Sequence, residues 1–153
     1  MTSRKGLTLI ELVIVIGITL ILLSFSLVNT SRSKSFVTVD TALHALINDI
    51  KSQQNKALTI GPSYGIHFES SKYSLFNSVT YDQNNVSNFD IVLGDGLQIS
   101  QINLPSDEIV FSSSSGAIDN FDEGQNSVSL TLPATGETKT FFINKYGVIY
   151  RLE

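Results

Sequence analysis

Residues 7–28 read LTLIELVIVIGITLILLSFSLV, 22 consecutive positions with a single charge, Glu11, and no proline. At about 1.5 Å per residue, a helix of this length spans the ~30 Å hydrocarbon core of a bilayer. The run is longer than the roughly 7–15 apolar residues of a conventional signal peptide. Ser24 and Ser26 do form a weak small-x-small pattern that would suit ordinary cleavage. Arg4 and Lys5 precede the run and, by the positive-inside rule, hold the N-terminus in the cytoplasm and send the remainder of the chain outward. The expected topology is a single pass through the inner (cytoplasmic) membrane, with an extracytoplasmic C-terminal part.

The rest of the composition narrows the chemistry. At 153 residues the chain has room for one domain of ordinary size, and at 16% charged residues it lies below the roughly 25% usual for soluble domains. It has no cysteine, so disulfides, thiolate metal sites and catalytic thiols are excluded. The two histidines, His44 and His67, have no partner at ligand spacing, and His44 reads as a surface residue near Asp40, one turn before it. No metal and no cofactor are expected. The sequence also has no glycine-rich phosphate loop, nucleophile elbow or Ser/His/Asp pattern, which argues against an enzyme.

Glu11 is the anomaly inside the apolar run, because a carboxylate at the membrane centre costs on the order of 3 kcal/mol and marks a functional position by default. Its setting, Lys5-Gly6-Leu7-Thr8-Leu9-Ile10-Glu11, resembles the type III signal of type IV pilins and pseudopilins. That signal is a short basic leader ending in glycine, followed by an apolar stretch with glutamate as its fifth residue. The resemblance implies that a prepilin peptidase at the cytoplasmic face cuts between Gly6 and Leu7 and N-methylates the new first residue. The family most often begins its mature chain with phenylalanine, so Leu7 is a mild departure, whereas the glycine and the glutamate match. Cleavage would create an α-amine with a reference pKa near 8 at the bilayer, one helical turn from Glu11. The resemblance gives Glu11 the role of pairing with such an amine in its own or a neighbouring subunit, which would fix the register of one helix against the next.

Beyond the span, apolar residues resume at Phe36, Val39, Leu43, Leu46 and Ile50, flanked by Ala42, Ile47, Ala57 and Leu58. Steps of three and four make this an amphipathic helix, and Gly61-Pro62 supplies its stop. The intervening polar stretch, which contains Arg32 and Lys34, has neither proline nor glycine. One continuous helix from residue 7 to about 58 is therefore expected, roughly 78 Å long.

From Gly61 onward, short β-prone runs alternate with Gly, Asn, Asp and Ser: 64–69, 72–77, 90–93, 97–103, 108–111, 127–132, 139–144 and 148–152. Ser70-Ser71 and Lys145-Tyr146-Gly147 read as hairpin turns. In 127–132, Val128, Leu130 and Leu132 point to the core, and Ser127, Ser129 and Thr131 to solvent. Asp95, between two glycines, reads as a turn, and Ser112 to Ser115 as a flexible loop. The loop Asp119-Asn120-Phe121-Asp122-Glu123-Gly124 is acidic, but Phe121 stands where a calcium loop needs an oxygen ligand.

The fold class expected is α+β, with a long helix packed on an antiparallel sheet. Its organisation is a leader at 1–6, a transmembrane or filament-core helix at 7–28, an amphipathic continuation at 29–60 and a β-rich head at 61–153. This order, with the strand, glycine loop and closing hairpin from Ile109 through Gly116 to Gly147-Val148, resembles the minor pseudopilin family GspH/FimT.

Residues 62–153 hold four basic and eleven acidic side chains, which opposes a nucleic-acid partner. Only Lys139, Lys145 and Arg151, all in the last hairpin, could contact phosphate.

The resemblance implies a structural subunit that initiates or tips a type IV pilus or a type II secretion pseudopilus. Its implied partners are major and minor pilin subunits, the prepilin peptidase, an inner-membrane assembly platform and the bilayer. The alternatives are a DNA-binding minor pilin of an uptake pilus and a signal-anchored extracytoplasmic β domain.

Overall fold

The computed structural model describes residues 9–30, 38–94 and 96–153. The chain divides into two units, residues 1–36 and 37–153. The leader with Gly6 and Leu7, the segment holding Arg32, Lys34 and Phe36, and Asp95 lie outside the described residues.

In the first unit, α1 (Leu9–Thr30) is helical throughout its 22 residues. The described side chains, those of residues 9–21, are apolar on every side of the helix apart from Glu11, Gly17 and Thr19. The Thr19 hydroxyl donates back to the Val15 carbonyl at 2.7 Å, which satisfies it without a partner outside the helix.

The second unit opens on α2 (Val39–Ile60), and here the expectation of one continuous helix is corrected. Thr38 is extended, at φ −71° and ψ 153°, and its hydroxyl oxygen accepts the Thr41 amide, so α2 has an N-cap of its own. A threonine hydroxyl starts a helix by satisfying one of the four free N–H groups of the first turn. The helix stops where expected, with Gly61 at φ 107° past its last residue.

Eight strands follow: β1 (Tyr64–Phe68), β2 (Lys72–Phe76), β3 (Phe89–Val92), β4 (Gln98–Asn103), β5 (Glu108–Phe111), β6 (Ser127–Leu132), β7 (Glu137–Ile143) and β8 (Ile149–Leu152). Each lies within a residue or two of a β-prone run in the sequence. They form two antiparallel four-stranded sheets, ordered β3-β2-β1-β5 and β4-β6-β7-β8, rather than the single sheet expected. The first sheet takes its fourth strand, β5, from beyond β4, so strand adjacency departs from chain order.

The core lies between α2 and the sheets. Val39, Leu43, Leu46, Ile47, Ile50 and Ala57 of the helix meet Ile66, Phe68 and Tyr73 of the first sheet, Phe111 of β5, and Val128, Leu130, Phe141 and Ile143 of the second. This is the helix stripe read from the sequence, except that Leu58 is 46% exposed. Gln53, polar by type, is buried within the same stripe and donates to the Gly65 carbonyl at 3.1 Å.

The solvent face expected for β6 is a second correction. Ser127 and Ser129 are buried, because β6 is a central strand and its hydroxyls bond across the sheet. Ser129 Oγ lies 2.8 Å from Thr140 Oγ1, and Thr131 Oγ1 lies 2.7 Å from Ser100 Oγ and 2.9 Å from Thr138 Oγ1. Neighbouring hydroxyls on one face satisfy one another and shed water together.

The serine loop is likewise a docked element. The Ser114 amide donates to the Ala57 carbonyl at 3.3 Å and the Ser113 hydroxyl to the Gly61 carbonyl, so the loop caps carbonyls left open at the end of α2.

Candidate functional site

The residues singled out for processing and assembly belong to the first unit. Gly6 and Leu7 lie outside the described residues. Glu11 stands in the first turn of α1 with its side chain exposed, where a carboxylate also meets the positive end of the helix dipole. Around it the helix presents bare hydrocarbon: Leu9 is 80% exposed, and every large apolar residue described from Ile10 to Ile21 is at least half exposed. A Cβ added at Gly17 would meet nothing within 4 Å. A helix that is apolar all round and carries its apolar surface outward is built for lipid or for other helices. Among the described residues, no helix is long and apolar enough to cross a membrane.

In the head, the structure separates the residues that composition had grouped. Lys139 lies 3.6 Å from Asp40 of α2, so Asp40 is engaged by the sheet and not by His44, which is exposed. Arg151 lies 3.2 Å from Glu153, and its guanidinium sits 3.7 Å over the Phe142 ring. Two of the three basic side chains of the last hairpin are thus committed to carboxylates, and Lys145 sits apart in the turn.

The acidic loop is a tight turn closed by its own side chain, with Asp122 Oδ1 accepting the Gly124 amide at 2.7 Å and Phe121 packed against the core. Among the described residues, no group of three or more His, Cys, Asp or Glu side chains could hold a metal ion.

Two head residues that hold the elements in place escaped the sequence reading. Gln54 Nε2 reaches both the Gly116 and the Tyr146 carbonyls, each at 2.8 Å, and so ties α2 to the serine loop and to the last hairpin. Asp49 accepts the Tyr73 hydroxyl at 2.6 Å and ties α2 to β2. Neither carries a sequence signal beyond lying beside the apolar stripe. A third polar cluster joins strands: Lys72 contacts Glu69 at 3.2 Å and Asp90 at 2.8 Å, and Ser74 donates to Asp90 at 2.7 Å. The Lys72 ammonium, followed by the Ser74 hydroxyl, holds the Asp90 carboxyl below its ordinary value.

Residues 1–27 match the family model described as the prokaryotic N-terminal methylation motif. No curated protein and no solved structure matches the chain. The matched region holds the basic leader, the glycine and the exposed apolar helix with its single carboxylate. This match at residues 1–27 supports a type IV pilin-like protein with a prepilin signal.

Proposed function

We propose that this chain is a minor pilin or pseudopilin, a structural subunit that initiates or tips a type IV pilus or type II secretion pseudopilus. The observation that carries the reading is the methylation motif over residues 1–27, leading into a helix whose apolar side chains face outward around Glu11. In this reading a prepilin peptidase cuts between Gly6 and Leu7 and methylates the new amine. The helix holds the precursor in the inner membrane with the head outside, and later packs among the helices of other pilin subunits. Glu11 draws the amine of its own or a neighbouring subunit, because a buried carboxylate is tolerated when it is paired. The function is assembly rather than catalysis, with the assembly platform and the other subunits as partners and the head as the part that distinguishes this subunit from them. The order of an amphipathic helix, α2, followed by eight antiparallel strands supports a GspH/FimT-like assignment.

The test is the N-terminal sequence and intact mass of membrane-extracted protein produced with and without a prepilin peptidase. A peptidase-dependent start at Leu7, lost in Gly6→Ala, is expected. A start beyond Ser26, or an uncut chain in both samples, would replace this reading with a signal-processed or signal-anchored β domain.

A further inference from the structure

Buried polar groups in a folded protein are paired, so an unpaired one asks for a partner from outside the fold. Among the described residues, three buried side-chain atoms have no hydrogen-bond partner: Gln53 Oε1, His67 Nδ1 and Asn88 Oδ1. The His67 ring lies flat against Tyr81, with centroids 4.1 Å apart and planes 6° from parallel. The two amide oxygens belong to one place. Gln53 lines a cavity of about 330 Å³ between α2 and the first sheet, and Asn88 stands between Ser87 and Phe89, which line it too.

The helix and the sheet bring unlike surfaces to this cavity. Asp49, Gln53 and Lys56 follow one another at steps of four and three, so they form a polar stripe along α2 beside its apolar one. Across from them, Leu75 of β2 is paired with Phe89 of β3, and Tyr64 of β1 lies on the same face by the alternation of that strand. Gln53 is 2% exposed and forms the base, whereas Phe89 is 65% exposed and forms the rim, because β3 is the outermost strand of its sheet. The carboxamide of Gln53 has one orientation. Its nitrogen donates to the Gly65 carbonyl at 3.1 Å, so the unpaired atom is the oxygen, and the base of the cavity requires a donor.

The lining also defines the class of molecule that supplies this donor. Asp49 and Lys56 contribute one charge of each sign, so a charged ligand would be drawn to one and opposed by the other. Asp49 Oδ2 already accepts the Tyr73 hydroxyl at 2.6 Å. The hydroxyls of Ser52 and Ser87 both donate and accept, which suits a ligand whose own groups do the same. Tyr64, Leu75 and Phe89 add an apolar wall, and a wholly apolar ligand would leave Gln53 Oε1 unpaired. A neutral molecule with a C–H face and a rim of donors and acceptors is a sugar ring. The volume lies at the lower end of the roughly 300–1,000 Å³ of small-molecule sites, room for about one or two such rings.

We propose that this cavity binds a neutral saccharide, with Gln53 Oε1 accepting from a ring substituent at the base and Phe89 with Leu75 carrying the C–H face. Gln53 is covered by its neighbours, so the ligand reaches it as the side chains at the rim, Lys56 and Phe89, move aside. The site lies wholly within the head and does not rest on the pilin reading.

The test uses the full chain in a detergent without a sugar headgroup, titrated with maltose and with N,N′-diacetylchitobiose by ligand-observed NMR. Saturable binding of at least one probe is expected. Binding of the acetylated probe alone would assign an amide donor to Gln53 Oε1, and binding of both a hydroxyl donor. Phe89→Ala is expected to weaken binding at least about fivefold, and Gln53→Met to abolish it. Because Gln53 is buried and its substitution also frees the Gly65 carbonyl, the exposed Phe89 carries the test if Gln53→Met lowers the thermal midpoint. Tyr150→Ala, which removes a half-exposed ring from the other sheet, should bind as the parent does. No saturable binding of either probe up to about 10 mM would overturn the proposal. So would an unchanged affinity in Phe89→Ala, or an equal loss in Tyr150→Ala.

Discussion

At the scale of single residues, two positions carry consequences that their types alone do not announce. Gly65 sits in β1 where an added Cβ would lie 2.3 Å from the Phe76 ring and 2.8 Å from the Ile109 carbonyl oxygen. The ring can turn, but the carbonyl belongs to the neighbouring strand β5 and cannot move without breaking the ladder. Gly65→Ala is therefore expected to destabilise the protein by about 1–3 kcal/mol, read as a lower thermal midpoint of the detergent-solubilised chain. An unchanged midpoint would show that β5 yields. Under the proposed pilin function Glu11 is the opposite case, with its expected consequence in assembly and not in folding. Exposed on α1, it makes no contribution to the head's core, so Glu11→Ala should leave processing intact and lower incorporation into filaments. Filament fractions with normal content of the variant would remove the assembly role of that carboxylate.

At the scale of elements, α2 is held to the first sheet by apolar burial and by the Asp49–Tyr73 hydrogen bond, and that bond gives the packing a pH dependence. Burial first, then the bond to Asp49, pushes the Tyr73 hydroxyl well above its ordinary value near 10. A group whose pKa is higher folded than unfolded contributes stability that is complete below the unfolded value and is lost as pH rises past it. Stability should therefore fall above about pH 10, and Tyr73→Phe should flatten that alkaline limb while costing about 1 kcal/mol at neutral pH through the lost hydrogen bond. Denaturation midpoints of both proteins between pH 8 and 11 would check this, and parallel alkaline limbs would discount Tyr73 as the cause. Asp90 has the reverse sign, since its lowered pKa supports the first sheet above the unfolded carboxylate value and ceases to do so as pH falls through the folded one. The group is exposed, so that support is small.

At the scale of the whole molecule, the head is a helix laid on two sheets with unequal edges, and its local stability should follow that inequality. Strand β6 is central, buried at five of six positions and bonded on both sides, whereas β3 is an exposed edge. Amide hydrogen exchange of the full chain is expected to be slowest in β6 and its partner β7, and fastest among the strands in β3. Protection of β3 equal to that of β6 would contradict its place at the edge of the first sheet.

The sequence by itself determined the apolar run, the carboxylate within it, the stripe of α2 and the places of the eight strands, because these are local patterns: hydrophobic periodicity, turn chemistry and a short signal. The methylation motif belongs to this class, since it is read from contiguous residues at the N-terminus. What only the tertiary structure decided depends on residues far apart in the chain. The start of α2 at Thr38 is one such feature, because a capped helix start needs neither glycine nor proline before it and threonine by itself does not mark a break. Alternation alone points Ser127 and Ser129 to solvent, and their burial follows from the position of β6 between β4 and β7, which places Ser100, Thr138 and Thr140 on the same face. The division into two sheets turned on β5 pairing with β1, a contact across more than forty residues that no local period encodes. The same long-range choice left β3 and β8 uncovered, because a strand's edge is open or closed according to which partners the rest of the chain brings to it.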